Sequence, residues 1–147
     1  MFSKSCEYGI KAVIYIAQES LQKKRVKLAS IASAIDSPEA FTAKTLQLLA
    51  RNNIIHSIMG AKGGYEMSKE NIEKTTLLEL VKIIDGELIY SGCGLGLTKC
   101  DDNAPCPIHN DFIKIRNDLK HMLQNTSILD LASNLDNGST QLKRILN

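Results

Sequence analysis

The chain has 147 residues, a formal net charge of +2, no Trp, and hydrophobic residues at 44% of positions. That is enough apolar material for one packed domain, or one domain with an appended helix. The first apolar run, Ile10 to Ala17, is interrupted by Lys11 and is too short for a membrane span; it also lacks a small-residue cleavage pattern, so a cytoplasmic protein without a membrane partner is expected. The charge is uneven. Residues 1–70 carry ten Lys/Arg against six Asp/Glu, and residues 71–147 carry eight against ten. A basic N-terminal half suits a polyanionic partner.

Residues 4–21 read as a helix, with Ile10, Val13, Ile14 and Ala17 at helical spacing. A polar connection, Gln22 to Arg25, leads to a second helix over 28–35, with Leu28, Ile31, Ala32 and Ile35 on one face. Asp36-Ser37-Pro38-Glu39 is a helix-start signature and opens a third helix over 38–52. Its inner positions are read as Phe41, Thr45, Leu46, Leu48 and Leu49. Strands are expected over 53–58 and 65–67, joined by the turn Met59-Gly60-Ala61-Lys62-Gly63-Gly64. Two short helices with a tight break, followed by a glycine- and lysine-bearing hairpin, make a winged helix-turn-helix. Thr76 to Asp85 forms a further amphipathic helix, capped by Thr75 or Thr76. Residues 86–107 read as irregular. A long helix over 108–125 then carries Ile108, Phe112, Ile115, Leu119 and Met122 at alternating steps of four and three. Such a heptad seam on an otherwise polar helix calls for a partner, and a homodimer interface is expected there. One more short helix and loose polar residues complete the chain. The expected class is therefore mainly α: a winged helix-turn-helix over 1–70, a linking helix and cysteine loop over 71–107, and a dimerisation helix with its tail over 108–147.

In a helix-turn-helix, the N-terminal part of the second helix enters the major groove of double-stranded DNA. Pro38, Glu39, Ala40, Thr42, Ala43 and Lys44 are the positions expected to be exposed there. Thr42 and Lys44 can reach bases or phosphates, while Glu39 either accepts from a cytosine amine or caps the helix. Ser57 and Lys62 on the hairpin would meet backbone or minor groove. Lys4, Lys11, Lys23, Lys24, Arg25 and Lys27 are candidates for phosphate neutralisation. There is no Ser/His/Asp set, no phosphate loop and no helical metalloprotease motif, so an enzyme is not expected.

Of the four cysteines, Cys93, Cys100 and Cys106 fall within fourteen residues, with His109 three residues further on. Clustered cysteines in a cytosolic chain point to metal or redox chemistry rather than a disulfide framework. Thiolates and imidazole hold iron–sulfur clusters and equally suit zinc; the spacing does not choose between them. Cys6 stands alone in the first helix and reads as a small buried apolar residue. His56 and His121 read as a strand residue and a surface helix residue.

Several motifs together resemble the Rrf2 family of winged-helix regulators, which includes iron–sulfur transcription factors of the IscR and NsrR types. They are Ser3-Lys4 and Tyr8-Gly9, Leu28-Ala29-Ser30-Ile31-Ala32, Phe41 with Lys44 and Leu46, Gly60-Ala61-Lys62-Gly63-Gly64-Tyr65, and Ile84-Asp85-Gly86 ahead of the cysteine loop. The resemblance covers roughly residues 1–130. It implies a homodimer on a near-palindromic operator, with a cluster, foremost a 2Fe-2S one, whose occupancy alters DNA binding. Cys93, Cys100 and Cys106 would be its thiolate ligands. The fourth ligand is either His109 or Glu7, the latter supplied by the other subunit. The six-residue first gap, Ala43 in the recognition helix and Met59 in the wing depart from the family pattern. Two alternatives remain open: a cluster-free thiol-redox regulator of the same fold, and a zinc-stabilised protein-interaction module.

Overall fold

Helix α1 (Lys4–Leu21) is the central element of the computed structural model, which describes residues 1–144. The Ser3 hydroxyl caps it, accepting the Cys6 N–H at 3.0 Å. Its buried face runs through Cys6, Gly9, Ala12, Val13, Ile16 and Ala17. The small residues on that face admit close neighbours. A Cβ on Gly9 would lie 2.5 Å from Ile84 Cδ1 and 3.0 Å from Thr45 Cγ2. Helices α2 (Leu28–Ile35), α3 (Glu39–Arg51), α5 (Leu77–Asp85) and α8 (Ile128–Asp136) all pack against α1.

Asp36 ends α2 in the left-handed region (φ 53°), and Pro38 follows in an extended conformation. Pro38 is the cap just outside α3, not its first residue, and no side chain caps the helix. The wing pairs β1 (His56–Ile58) with β2 (Gly64–Glu66), Ser57 opposite Tyr65. Val26 adds a third edge by exchanging both backbone hydrogen bonds with Tyr65 (3.1 and 2.7 Å). The first strand is shorter than the sequence suggests. The Ile54 N–H bonds back to Leu49 O at 3.1 Å, and the Asn71 side chain donates to Asn53 O and Ile54 O. The backbone groups of Asn53 and Ile54 thus close α3 rather than joining a ladder.

Two helices were not expected: α4 (Lys69–Lys74), capped by Ser68, and α6 (Leu88–Ser91), inside the supposedly irregular segment. Helix α5 starts after Thr76, whose side chain makes no cap bond. Helix α7 (His109–Gln124) begins after Ile108, and α8 is the short C-terminal helix, capped by Ser127. The last three residues of the polar tail lie outside the described residues.

The boundaries drawn at 70/71 and 107/108 do not separate cores. Leu80, Val81, Tyr90, Leu123, Ile128 and Ala132 share one apolar cluster with Val13, Ile16, Leu46 and Leu49. The chain also ties the starts of α5 and α8 together, Leu77 N to Thr126 O and Ile128 N to Thr75 O, both at 3.0 Å. Among the described residues, no helix is long and apolar enough to cross a membrane.

Candidate functional site

The recognition-helix candidate, α3, presents Glu39, Ala40, Lys44, Gln47 and Arg51 to solvent, with Pro38 exposed just before it. Thr42 corrects the sequence reading. It is 1% exposed, and its hydroxyl donates to Pro38 O at 2.7 Å and lies beside Ser37 Oγ. A side chain spent on the first turn of its own helix cannot reach a base. Phe41, read as an inner position, is 39% exposed and packs edge-on to Tyr8. Gln47 and Arg51 were missed. With Ala40 and Lys44 they form one stripe at positions 40, 44, 47 and 51, the helical spacing that could have found them. Gln47 and Arg51 also line a cavity of about 310 Å³ with Ala50, Ser57 and Tyr65, between α3 and the wing.

At the wing, Ser57, Met59, Ala61 and Lys62 are exposed. Lys27 Nζ donates to Ala61 O at 3.1 Å, and Arg25 reaches Lys62 O at 3.3 Å and Glu66 at 2.9 Å. These two cations therefore brace the hairpin tip. The turn requires its glycines: a Cβ on Gly63 would fall on Ile58 O, and Gly64 has φ +141° with its missing Cβ 2.7 Å from Val26 O. Lys4 is exposed and pairs with Glu7 at 3.0 Å, while Lys11 lies over the Tyr8 ring and donates to Ile35 O at 3.3 Å.

The three clustered cysteines occupy the loop between α6 and α7. The Cys93 thiol is held below its ordinary range by the backbone N–H groups of Leu95 and Leu97 and, to a lesser degree, by Cys106. Cys100 Sγ lies 3.6 Å from His109 Nδ1 and accepts from Arg116 Nη1 at 3.2 Å. His109 is buried, and its Nε2 is 2.8 Å from Asp102 Oδ1. That contact leaves Nδ1 facing the sulfur, the arrangement a carboxylate gives a metal-ligating histidine. Of the four candidate donors, Cys100 and His109 thus form a close pair, and the Cys106 carbonyl accepts the His109 N–H at 3.0 Å. A cavity of about 530 Å³ is lined by Cys93 and Cys100 together with Gly92, Gly96 and Leu97. Among the described residues, no three Cys, His, Asp or Glu side chains converge on a point for a single metal ion.

Glu7 is on α1 with its Lys4 partner; among the described residues no hydrogen bond joins it to the cysteine loop of its own chain. Cys6 is fully buried, and burial, aided by Asp85, pushes its thiol up to about 12. Asp85 also accepts the Ser3 N–H at 3.0 Å and the Ser3 hydroxyl, so the end of α5 nearest the cysteine loop holds the start of α1.

The predicted seam is divided between two surfaces. Ile108, Ile115 and Met122 are 38, 65 and 43% exposed. Phe112 and Leu119 are half-buried. Phe112 lies against the loop, where a Cβ on Gly94 would stand 2.8 Å from its ring, and Leu119 packs on the core. Leu123, outside the seam, is fully buried.

A helix pair presenting a polar, cation-bearing stripe beside a braced hairpin defines a winged helix-turn-helix DNA-binding protein. The chain belongs to the Rrf2 family: the family model, described as an iron-dependent transcriptional regulator, matches residues 2–134. A protein of Aquifex aeolicus named for the HTH-type transcriptional regulators is 27% identical over 135 residues, covering 90% of this chain and 92% of its own. The structure of CymR, the global cysteine regulator of B. subtilis, superposes with a TM-score of 0.74 at 23% identity, covering 90% of this chain and 96% of that one. That of T. potens IscR does so with a TM-score of 0.73 at 16% identity, covering 95% and 91%. The protein is accordingly a transcriptional regulator with a winged-helix fold.

Proposed function

We propose that this regulator works as a homodimer on a near-palindromic operator, and that an iron–sulfur cluster held by Cys93, Cys100, Cys106 and His109 sets its grip on DNA. One observation carries the reading: at one loop–helix junction Cys100 Sγ stands 3.6 Å from His109 Nδ1, the Cys106 carbonyl accepts the His109 N–H, and Cys93 and Cys100 line one cavity. A structural zinc ion needs four donors around one centre. A binuclear 2Fe-2S cluster needs two donors for each of two irons, and mixed Cys/His ligation is chemically ordinary for it. Bound there, the group would supply a one-electron redox centre sensitive to oxidants and nitric oxide. The chain's own residues do the rest. Glycines 92, 94 and 96 keep the loop free of side chains that would crowd an inorganic core. Asp102 holds His109 so that Nδ1 points inward. Asp85 connects the end of α5 to the Ser3 cap of α1, and α1 packs on α3, which gives the loop a bonded route to the DNA-reading helix. Glu7 of a second subunit remains the competing fourth ligand.

The DNA face of this reading consists of Glu39, Ala40, Lys44, Gln47 and Arg51 on α3, with Ser57 and Lys62 on the wing. Lys4 and Lys27 add positive charge at its edges. The dimer contact consists of Ile108, Ile115 and Met122, with Phe112 and Leu119 behind them.

A second reading, a cluster-free thiol switch, draws on the lowered Cys93 thiol, since the thiolate is the form that reacts with an oxidant or a disulfide. Anaerobic purification separates the two. The cluster reading expects a brown protein with visible absorption and with iron and acid-labile sulfide in equal amounts. His109→Ala should weaken that absorption more than Glu7→Ala. A colourless protein that gains a Cys93–Cys106 disulfide on mild oxidation supports the thiol switch, and a colourless protein containing zinc supports the interaction module.

A further inference from the structure

Arg116 sits in the middle of α7 and turns its guanidinium back toward the cysteine loop. Its Nη1 donates to Gly92 O at 2.7 Å, to Ser91 O at 3.4 Å and to Cys100 Sγ at 3.2 Å. Its Nε is buried without a partner. None of the ion pairs among the described residues includes Arg116. A guanidinium drawn away from water is costly unless negative charge and acceptors surround it. Here the two carbonyls at the end of α6 supply acceptors, and the nearest group able to carry negative charge is a sulfur of the cysteine site.

We propose that Arg116 is the positioning residue of the cysteine site: it fastens residues 91–100 to α7 and sets a permanent positive charge against the Cys100 sulfur. This rests on the cluster reading given above. Two consequences follow from general chemistry. Hydrogen bonds to ligand sulfurs and nearby positive charge favour the reduced, more negative state of an iron–sulfur centre. The same side chain makes the loop's position depend on the helix that carries the exposed apolar residues Ile115 and Met122, so a change of charge at the cysteines is transmitted to that surface.

The test uses the full chain as wild type, Arg116→Gln and Arg116→Lys, prepared anaerobically with iron and sulfide. Arg116→Gln should still take up a cluster, seen as visible absorption, but with a midpoint potential below wild type in a dye-mediated titration. Arg116→Lys keeps the charge and should return toward the wild-type potential. In the cluster-free proteins, amide hydrogen exchange over residues 92–100 should quicken about fivefold to tenfold in both variants, the fold-change expected for the loss of one hydrogen bond. A Gln variant with the wild-type potential, or a Lys variant as low as Gln, overturns the charge assignment. Unchanged exchange in both variants overturns the fastening. A wild-type protein that takes up no cluster refutes the cluster reading instead, and the exchange measurement still decides the fastening.

Discussion

The two faces of α7 can be told apart by a pair of truncations. Ile115 is 65% exposed and Leu123 is fully buried, two turns apart on one helix. If Ile115 meets its copy in a dimer, covering its free surface is worth about 1–2 kcal/mol per subunit on the usual scale for an aliphatic side chain. Two copies give about 2–4 kcal/mol, so Ile115→Ala should weaken dimerisation roughly 30- to 1000-fold. The same change should leave the fold's cooperativity intact, since Ile115 is not among the residues packed on the buried core. Leu123→Ala should behave the opposite way, costing about 2–5 kcal/mol of folding stability through a cavity in the shared core. Sedimentation velocity over a concentration series reads the first effect, and urea unfolding at high protein concentration reads the second. If Ile115→Ala associates as wild type does, this face is not the dimer contact. If the Leu123 variant unfolds as wild type does, the placement of α7 on the core is refuted.

Lys62→Ala should weaken binding to all DNA sequences and flatten the salt dependence by about one unit, the slope contributed by one phosphate contact. Thr42→Val should leave that slope unchanged and instead cost about 1 kcal/mol of stability, because its hydroxyl is spent on Pro38 O; a changed slope would return Thr42 to the DNA surface. Gly64→Ala forces a side chain into a left-handed position against Val26 O and should cost about 1–3 kcal/mol. Its DNA affinity should fall with the distorted wing, measured by fluorescence anisotropy, and wild-type affinity would contradict the role given to that turn. In cluster-free protein near neutral pH, iodoacetamide should label Cys93 first and Cys6 last, read by peptide mass spectrometry. Burial keeps Cys6 protonated, with its thiol pushed up to about 12, whereas backbone donors favour the Cys93 thiolate. Early labelling of Cys6 would show that α1 opens more readily than its packing implies.

The helices with one buried stripe are legible in the sequence, because burial of one face imposes the 3.6-residue period: α1, α2 and α5 lie close to where the pattern puts them, while the hairpin is legible from the glycines of its turn. Helices α4 and α6 are not. With six and four residues they are too short for any period, and local capping and tertiary support decide them. Thr42 reads as outward from its place in the N-terminal part of the recognition helix, and only its contact with Pro38 O shows that the helix start consumes the hydroxyl. The cysteine triplet was visible as spacing, but its partners were not. Arg116 stands 24 residues from Gly92 and 16 from Cys100, separations across which no periodic signal reaches. Asp102 carries a role only because the loop folds it onto His109. The seam on α7 showed a different limit. A heptad pattern marks apolar residues but cannot say which serve the chain's own core, and Phe112 and Leu119 are partly spent there.

On the proposed reading, the state of the cysteine site changes how this regulator holds DNA. To test this, one anaerobic preparation is divided, one half is stripped of its cluster with a chelator, and the two halves are compared by footprinting on duplexes selected by the protein from a random-sequence pool, at fixed salt. A clear difference in affinity or in the protected sequence is expected, abolished in Cys93→Ala, Cys100→Ala and Cys106→Ala. Identical footprints from the loaded and the stripped protein would contradict it.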